Sequence, residues 1–199
     1  MSTRFPSGIV ADVVGDITGD ITGDIVAPLV TGVTGAGVVG TGSFGAPKTY
    51  RREQNGSIVT IIKFDLTGLG CVGTAANDVI GLATGGVAYI GRYTTADYGI
   101  VYKAELSCLE TPSEGTATIT GDIDIATNAS ALLEYDDAGG ASKLINGGSL
   151  TIGQTVANLE PGLTANDYFY IVEADTAGTT GVYDGGQFIL TLWGHAALD

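Results

Sequence analysis

A chain of 199 residues, 44% of them hydrophobic and only 15% charged, is long enough for one well-buried core and too apolar to remain disordered throughout. Its formal net charge of −14 excludes a nucleic-acid surface built on clustered lysine and arginine and disfavours anionic membranes, so neither is expected as a partner. The 32 glycines punctuate short apolar runs, a balance that suits many strands and turns.

Residues 1–8 read Met-Ser-Thr-Arg-Phe-Pro-Ser-Gly. Phe5 is an aromatic with nothing nearby in sequence to bury it. It sits beside the basic Arg4 and is stiffened by Pro6, which is the kind of anchor a partner's pocket grips. The stretch has one arginine but no apolar core or small-residue cleavage site, so no secretory signal is expected and synthesis in the cytoplasm is. This opening resembles the start of virion structural proteins of short-tailed phages of marine bacteria, particularly those infecting cyanobacteria, where the phrase precedes a glycine-rich segment. A weaker echo lies at residues 186–194, Gly-Gln-Phe-Ile-Leu-Thr-Leu-Trp-Gly. The resemblance implies a protein of the virion, located on the capsid surface. Within that family it favours head decoration, or cement, with the major capsid protein as partner.

Residues 15–26 are three near-copies of one four-residue unit, Gly-Asp-Ile-Thr, Gly-Asp-Ile-Thr and Gly-Asp-Ile-Val. A glycine at every fourth position costs a helix about 1 kcal/mol each relative to alanine, so the segment reads as extended chain. Extended chain alternates its faces every two residues. Ile17, Ile21 and Ile25 therefore form one apolar row, and Asp16, Asp20 and Asp24 point oppositely. Unpaired backbone groups in such a segment call for a partner surface. The glycine-rich style continues to Pro47, but its valines are unlike a flexible linker, and its glycine spacing fits neither collagen nor the calcium-binding β-roll. Residues 1–47 are thus expected to be an extended arm that docks on neighbouring subunits. Arg4, Lys48, Arg51 and Arg52 supply half of the eight basic residues, and after Lys103 only Lys143 follows. This asymmetry suits a basic N-terminal region meeting acidic partners, including copies of the same body in a homo-oligomer or on the capsid. The expected capsid contacts are Arg4, Phe5, Ile17, Ile21, Ile25, Arg51 and Arg52.

The body is expected at residues 48–199. Asn55-Gly56 is a tight-turn signal joining two strands, the second of which places Ile58, Ile62, Phe64 and Leu66 on one face. A long connection over residues 68–85 leads to a strand at 86–93. Residues 98–109 alternate, with Ile100, Tyr102, Ala104 and Leu106 expected inward and Lys103, Glu105 and Ser107 outward. Residues 116–125 predict a half-wet strand, with Ala117, Ile119, Gly121, Ile123 and Ile125 on the core side and Asp122 and Asp124 in water. Further strands are expected at 132–135, 149–156, 168–173 and 187–193. Eight or more strands without an amphipathic helix predict an all-β, antiparallel, jelly-roll-like β-sandwich preceded by the arm.

No catalytic set is legible. His195 is the sole histidine and no nucleophile elbow accompanies it. Cys71 and Cys108 form no Cys-x-x-Cys pair and no Cys/His cluster, so no metal or other cofactor is expected. Two separate buried thiols are the expected state, a disulfide the alternative. The Gly-x-Gly-x-x-Gly letters at residues 35–40 lack a surrounding βαβ unit. A non-enzymatic structural protein is the resulting expectation. The alternative is a tail-associated or adhesin-like receptor-binding module, using Tyr168, Phe169, Tyr170 or Trp193 as a sugar platform.

Overall fold

The computed structural model describes residues 47–72, 75–113, 122–140, 142–173 and 180–196. In chain order the elements are β1 (Lys48–Gln54), β2 (Ser57–Asp65), β3 (Gly70–Cys71), β4 (Tyr89–Arg92), a helical turn α1 (Thr95–Tyr98), β5 (Ile100–Ser113), β6 (Ile123–Asn128), β7 (Lys143–Ile145), β8 (Thr155–Asn158), β9 (Tyr168–Glu173), β10 (Gly181–Val182) and β11 (Gly185–His195). The five residues proposed as contacts in the arm, Arg4, Phe5, Ile17, Ile21 and Ile25, lie outside the described residues.

The chain is an antiparallel β-sandwich. One sheet runs β1-β2-β11-β5-β8, the other β4-β9-β6-β7, with β3 and β10 forming a small two-stranded ladder. Without β1, β3 and β10, eight strands remain, and they nest. β2 pairs with β11, β4 with β9, β5 with β8, and β6 with β7. That is one long hairpin folded so that alternate pairs fall into opposite sheets, which is the strand order of a jelly roll. β1 extends the first sheet by one strand. Its turn is read directly from sequence, since Asn55 (φ 51°) and Gly56 (φ 75°) both adopt the left-handed conformation of a two-residue type I′ hairpin.

A single core fills the space between the sheets. Ile62 and Phe64 from β2, Leu106 from β5, and Leu190 and Phe188 from β11 meet Ile125 from β6 and Phe169 and Ile171 from β9. The cross-strand partners Phe64 and Phe188 stack with ring centroids 5.5 Å apart. Such a pair adds about 0.5–1.5 kcal/mol beyond its burial.

Several local expectations change. Ile100 and Tyr102 are exposed, not inward, and Val101 is buried in their place. β5 bulges here. Lys103 pairs with Trp193 but Val101 with the next residue, Gly194, so Tyr102 is an extra residue and the alternation reverses behind it. Asp124 is fully buried, not wet. The outer face of the four-stranded sheet is roofed by connections: Gly139 lies so close over the Val172 side chain that a Cβ there would clash with it, and the Tyr170 hydroxyl donates to the Ser130 carbonyl at 2.7 Å. Asp124 survives there because Lys143 forms an ion pair with it and the Gly147 N–H donates to it at 2.7 Å. Residues 132–135 form part of that roof, not a strand. Asp137 accepts the Glu134 N–H at 2.8 Å, and this local turn displaces ladder pairing. Within 149–156 only the end is strand, because the Gln154 N–H returns to the Thr151 carbonyl at 2.9 Å and closes a turn. Of the segment 116–125, residues 116–121 lie outside the described residues and the strand itself runs Ile123–Asn128.

Candidate functional site

β1 carries Lys-Thr-Tyr-Arg-Arg-Glu-Gln, and the hairpin register sorts these side chains between two faces. Thr49, Arg51 and Glu53 pair with Ile62, Thr60 and Ile58, all buried, so they lie on the core side. Lys48, Tyr50 and Arg52 pair with Lys63, Ile61 and Val59 on the outer face. Arg51 and Arg52, which the sequence groups together, are therefore split. The Arg51 Nε donates to the Asp97 carbonyl at 2.6 Å, tying the edge strand to α1, and its guanidinium pairs with Glu53. Arg52 stands on the outer face, its Nη2 donating to Gln54 Oε1 at 2.7 Å.

The same face continues across the sheet. Val59 pairs with Trp193 and Trp193 with Lys103; Ile61 pairs with Thr191 and Thr191 with Glu105; Lys63 pairs with Ile189. Val59, Ile61, Ile189 and Trp193 are only half-buried. Lys48, Arg52, Lys63 and Lys103 bring four of the eight basic residues to this one face of an acidic chain. The Lys103 ammonium lies 4.2 Å from the Trp193 ring centroid and 2.9 Å from Glu105, and Lys63 lies 5.5 Å from the Tyr50 ring. Each exposed cation–π contact contributes about 0.5–1 kcal/mol and holds its ammonium against the aromatic surface. Beyond Lys63, Gln187 is flanked by Asp65, buried and accepting from Thr67 and Gln187, and by the exposed Glu110. The bulged Tyr102 and exposed His195 stack at its far corner, centroids 6.4 Å apart.

β1 is also an edge strand, and its outer edge meets no other strand among the described residues. An open edge offers a row of N–H and C=O groups to any extended chain that arrives. Lys63 and Lys103 escape a residue-by-residue reading, and Trp193 enters it only as an alternative sugar platform. The Asn55-Gly56 turn sets the register that brings Lys63 opposite Lys48, whereas Trp193 and Lys103 reach this face through the pairing of β11 with β2 and β5.

The two cysteines and several tyrosines are embedded in the fold. Cys71 and Cys108 are buried thiols. Burial, reinforced by the Glu173 carboxylate beside it, pushes the Cys71 thiol up to about 12, and burial also raises Cys108. Neither is a thiolate nucleophile at neutral pH. Tyr98 and Tyr170 are raised in the same way by burial. Among the described residues no three His, Cys, Asp or Glu side chains converge to hold a metal ion, and no helix is long and apolar enough to cross a membrane.

Comparison of the chain with protein-family models, with curated proteins and with solved structures finds no match.

Proposed function

We propose that the chain is a non-enzymatic virion structural protein that decorates and cements a phage capsid, its N-terminal arm docking on neighbouring capsid subunits. The observation that carries this reading is the repeat at residues 15–26, a segment with an apolar row of three isoleucines, joined through residues 27–47 to the open edge of β1. Burying those isoleucines contributes about 1.5–3 kcal/mol each before the cost of ordering a glycine-rich chain is subtracted. Main-chain pairing with a strand edge adds direction. The jelly roll supports the reading only in that this architecture is widely used in capsid domains, since a fold alone does not assign a role. The major capsid protein is the proposed partner and the capsid surface the proposed location. Copies of the same body lie close together there, so the basic outer face of one can meet the acidic remainder of another.

The exposed Tyr102 and half-exposed Trp193 support the second reading, a tail-associated or adhesin-like module that binds carbohydrate on this face. Particle stoichiometry separates the two, because decoration requires hundreds of copies and a tail module a few. The direct test is to mix undecorated capsids with the full chain, with a chain lacking residues 2–26, and with Ile17, Ile21 and Ile25 replaced by serine. Deletion is expected to abolish attachment and the triple substitution to weaken it severely. Decoration by the truncated chain as tight as by the full chain would overturn the arm-docking mechanism.

A further inference from the structure

The two outward cations of β1 repeat with period four, Lys48 and Arg52, and so do the aspartates of the arm, Asp16, Asp20 and Asp24. In a strand, residues four apart share a face and stand about 13 Å from one another. A strand of residues 15–26 laid along the open edge of β1 therefore sets two successive aspartates opposite Lys48 and Arg52. Thr18 or Thr22 then falls opposite Tyr50. Opposite charges directly across a strand pair stabilise it, and the match fails in a register shifted by one residue.

The tether fits as well. Residues 27–47, 21 in number, reach at most about 3.3–3.6 Å each when fully extended, roughly 70 Å in all. The seven residues of β1 span about 24 Å at strand rise. A covalent connection long enough to cover that span makes the pairing intramolecular, which favours the chain's own edge over that of a second molecule.

We propose that in the free protein residues 15–26 pair as an added strand on the open edge of the chain's own β1, in the register that opposes two of the three aspartates to Lys48 and Arg52. The arm thereby guards an otherwise bare sheet edge. On the decoration reading, which this last step assumes, a neighbouring subunit takes over the same hydrogen bonds and the same acidic-apolar strand on assembly, an exchange of identical pairing.

The test uses full-length protein and amide hydrogen exchange read by mass spectrometry, with no capsid present. Residues 15–26 are expected to exchange at least about tenfold more slowly than unprotected chain, independently of protein concentration, in a species that sediments as a monomer. Lys48→Glu with Arg52→Glu should abolish that protection while the far-UV spectrum stays unchanged, and adding Asp16→Lys, Asp20→Lys and Asp24→Lys should restore it. Exchange of residues 15–26 at the unprotected rate in the intact chain would overturn the proposal. So would protection that survives the charge reversal, or protection that appears only with a concentration-dependent dimer, which would assign the edge to a second copy. Capsid attachment is absent from every arm of this test, so its outcome is separable from that of the decoration assay.

Discussion

Removing one partner of the Asp124–Lys143 pair probes how the second sheet is built. Asp124 is fully buried and accepts from both Lys143 and the Gly147 N–H, while the Lys143 side chain is only 12% exposed. Lys143→Met keeps the aliphatic stem but leaves a buried carboxylate with one backbone donor. Breaking a buried pair in this way costs about 3–5 kcal/mol, most of it the desolvation of the stranded charge. For a chain of this size each kcal/mol moves the melting temperature by about 2–4 °C, so a loss of about 6–20 °C is expected. Asp124→Asn should be destabilising for the mirror reason, since the ammonium is left behind. The double variant, Asp124→Asn with Lys143→Met, retains an acceptor for Gly147 and strands no charge. It should therefore recover most of the loss, giving a clear coupling energy in a double-mutant cycle. Urea denaturation at neutral pH with an unchanged m value is the assay. If Lys143→Met costs less than about 1 kcal/mol, Asp124 faces solvent after all and the roof over the four-stranded sheet is not the burial it is taken to be.

The body should fold without the arm: a fragment beginning at residue 47 is expected to be soluble, to show a β-dominated far-UV spectrum and to melt in one transition, and aggregation or a helical spectrum would refute this. Stability should be level to about pH 9 and then decline, because Cys71 and Tyr170, each held up to about 12 in the folded chain against ordinary values of 9.0 and 10.0, keep protons that the unfolded chain releases. The native state binds more protons in that window, so the sign is a loss of stability as pH rises from about 9 towards 12. Cys71→Ser should flatten the start of the decline, and a urea midpoint constant between pH 9 and 11 in the parent protein would contradict the burial of these groups.

Much of the fold was legible because hydrophobic period and turn chemistry agree. Asn55-Gly56 announces its hairpin, and Tyr168–Glu173 is a strand at the predicted limits. Ile58, Ile62 and Phe64 alternate because one side of β2 faces the core. What escaped depends on events invisible in a local window. The bulge at Tyr102 is set by pairing with β11, some 90 residues away, and it moved Ile100 and Tyr102 to the surface. Asp124 looked wet because its neighbours alternate. The contrary hint lay in Tyr-Phe-Tyr-Ile-Val-Glu at 168–173, an unbroken apolar run of the kind found in strands covered on both faces. Since β6 pairs with β9 along its length, what roofs one strand roofs the other. At the candidate site, Arg51 and Arg52 were adjacent letters but opposite faces, and Lys63, Lys103 and Trp193 joined Arg52 only through sheet register.

The nested pairing also dictates an order of events during synthesis. β11 lies between β2 and β5 at the middle of its sheet, with Phe64 and Phe188 meeting across more than a hundred residues. Until residues 185–195 have left the ribosome, β2 and β5 have no strand between them, and the edge that each turns toward the other has no partner. Contacts this distant in sequence make assembly slow, on the millisecond-to-second scale, and leave apolar edges open to wrong partners meanwhile. The last described strand to be made is the one that closes the sheet, so the nascent chain waits, unfinished, for its keystone.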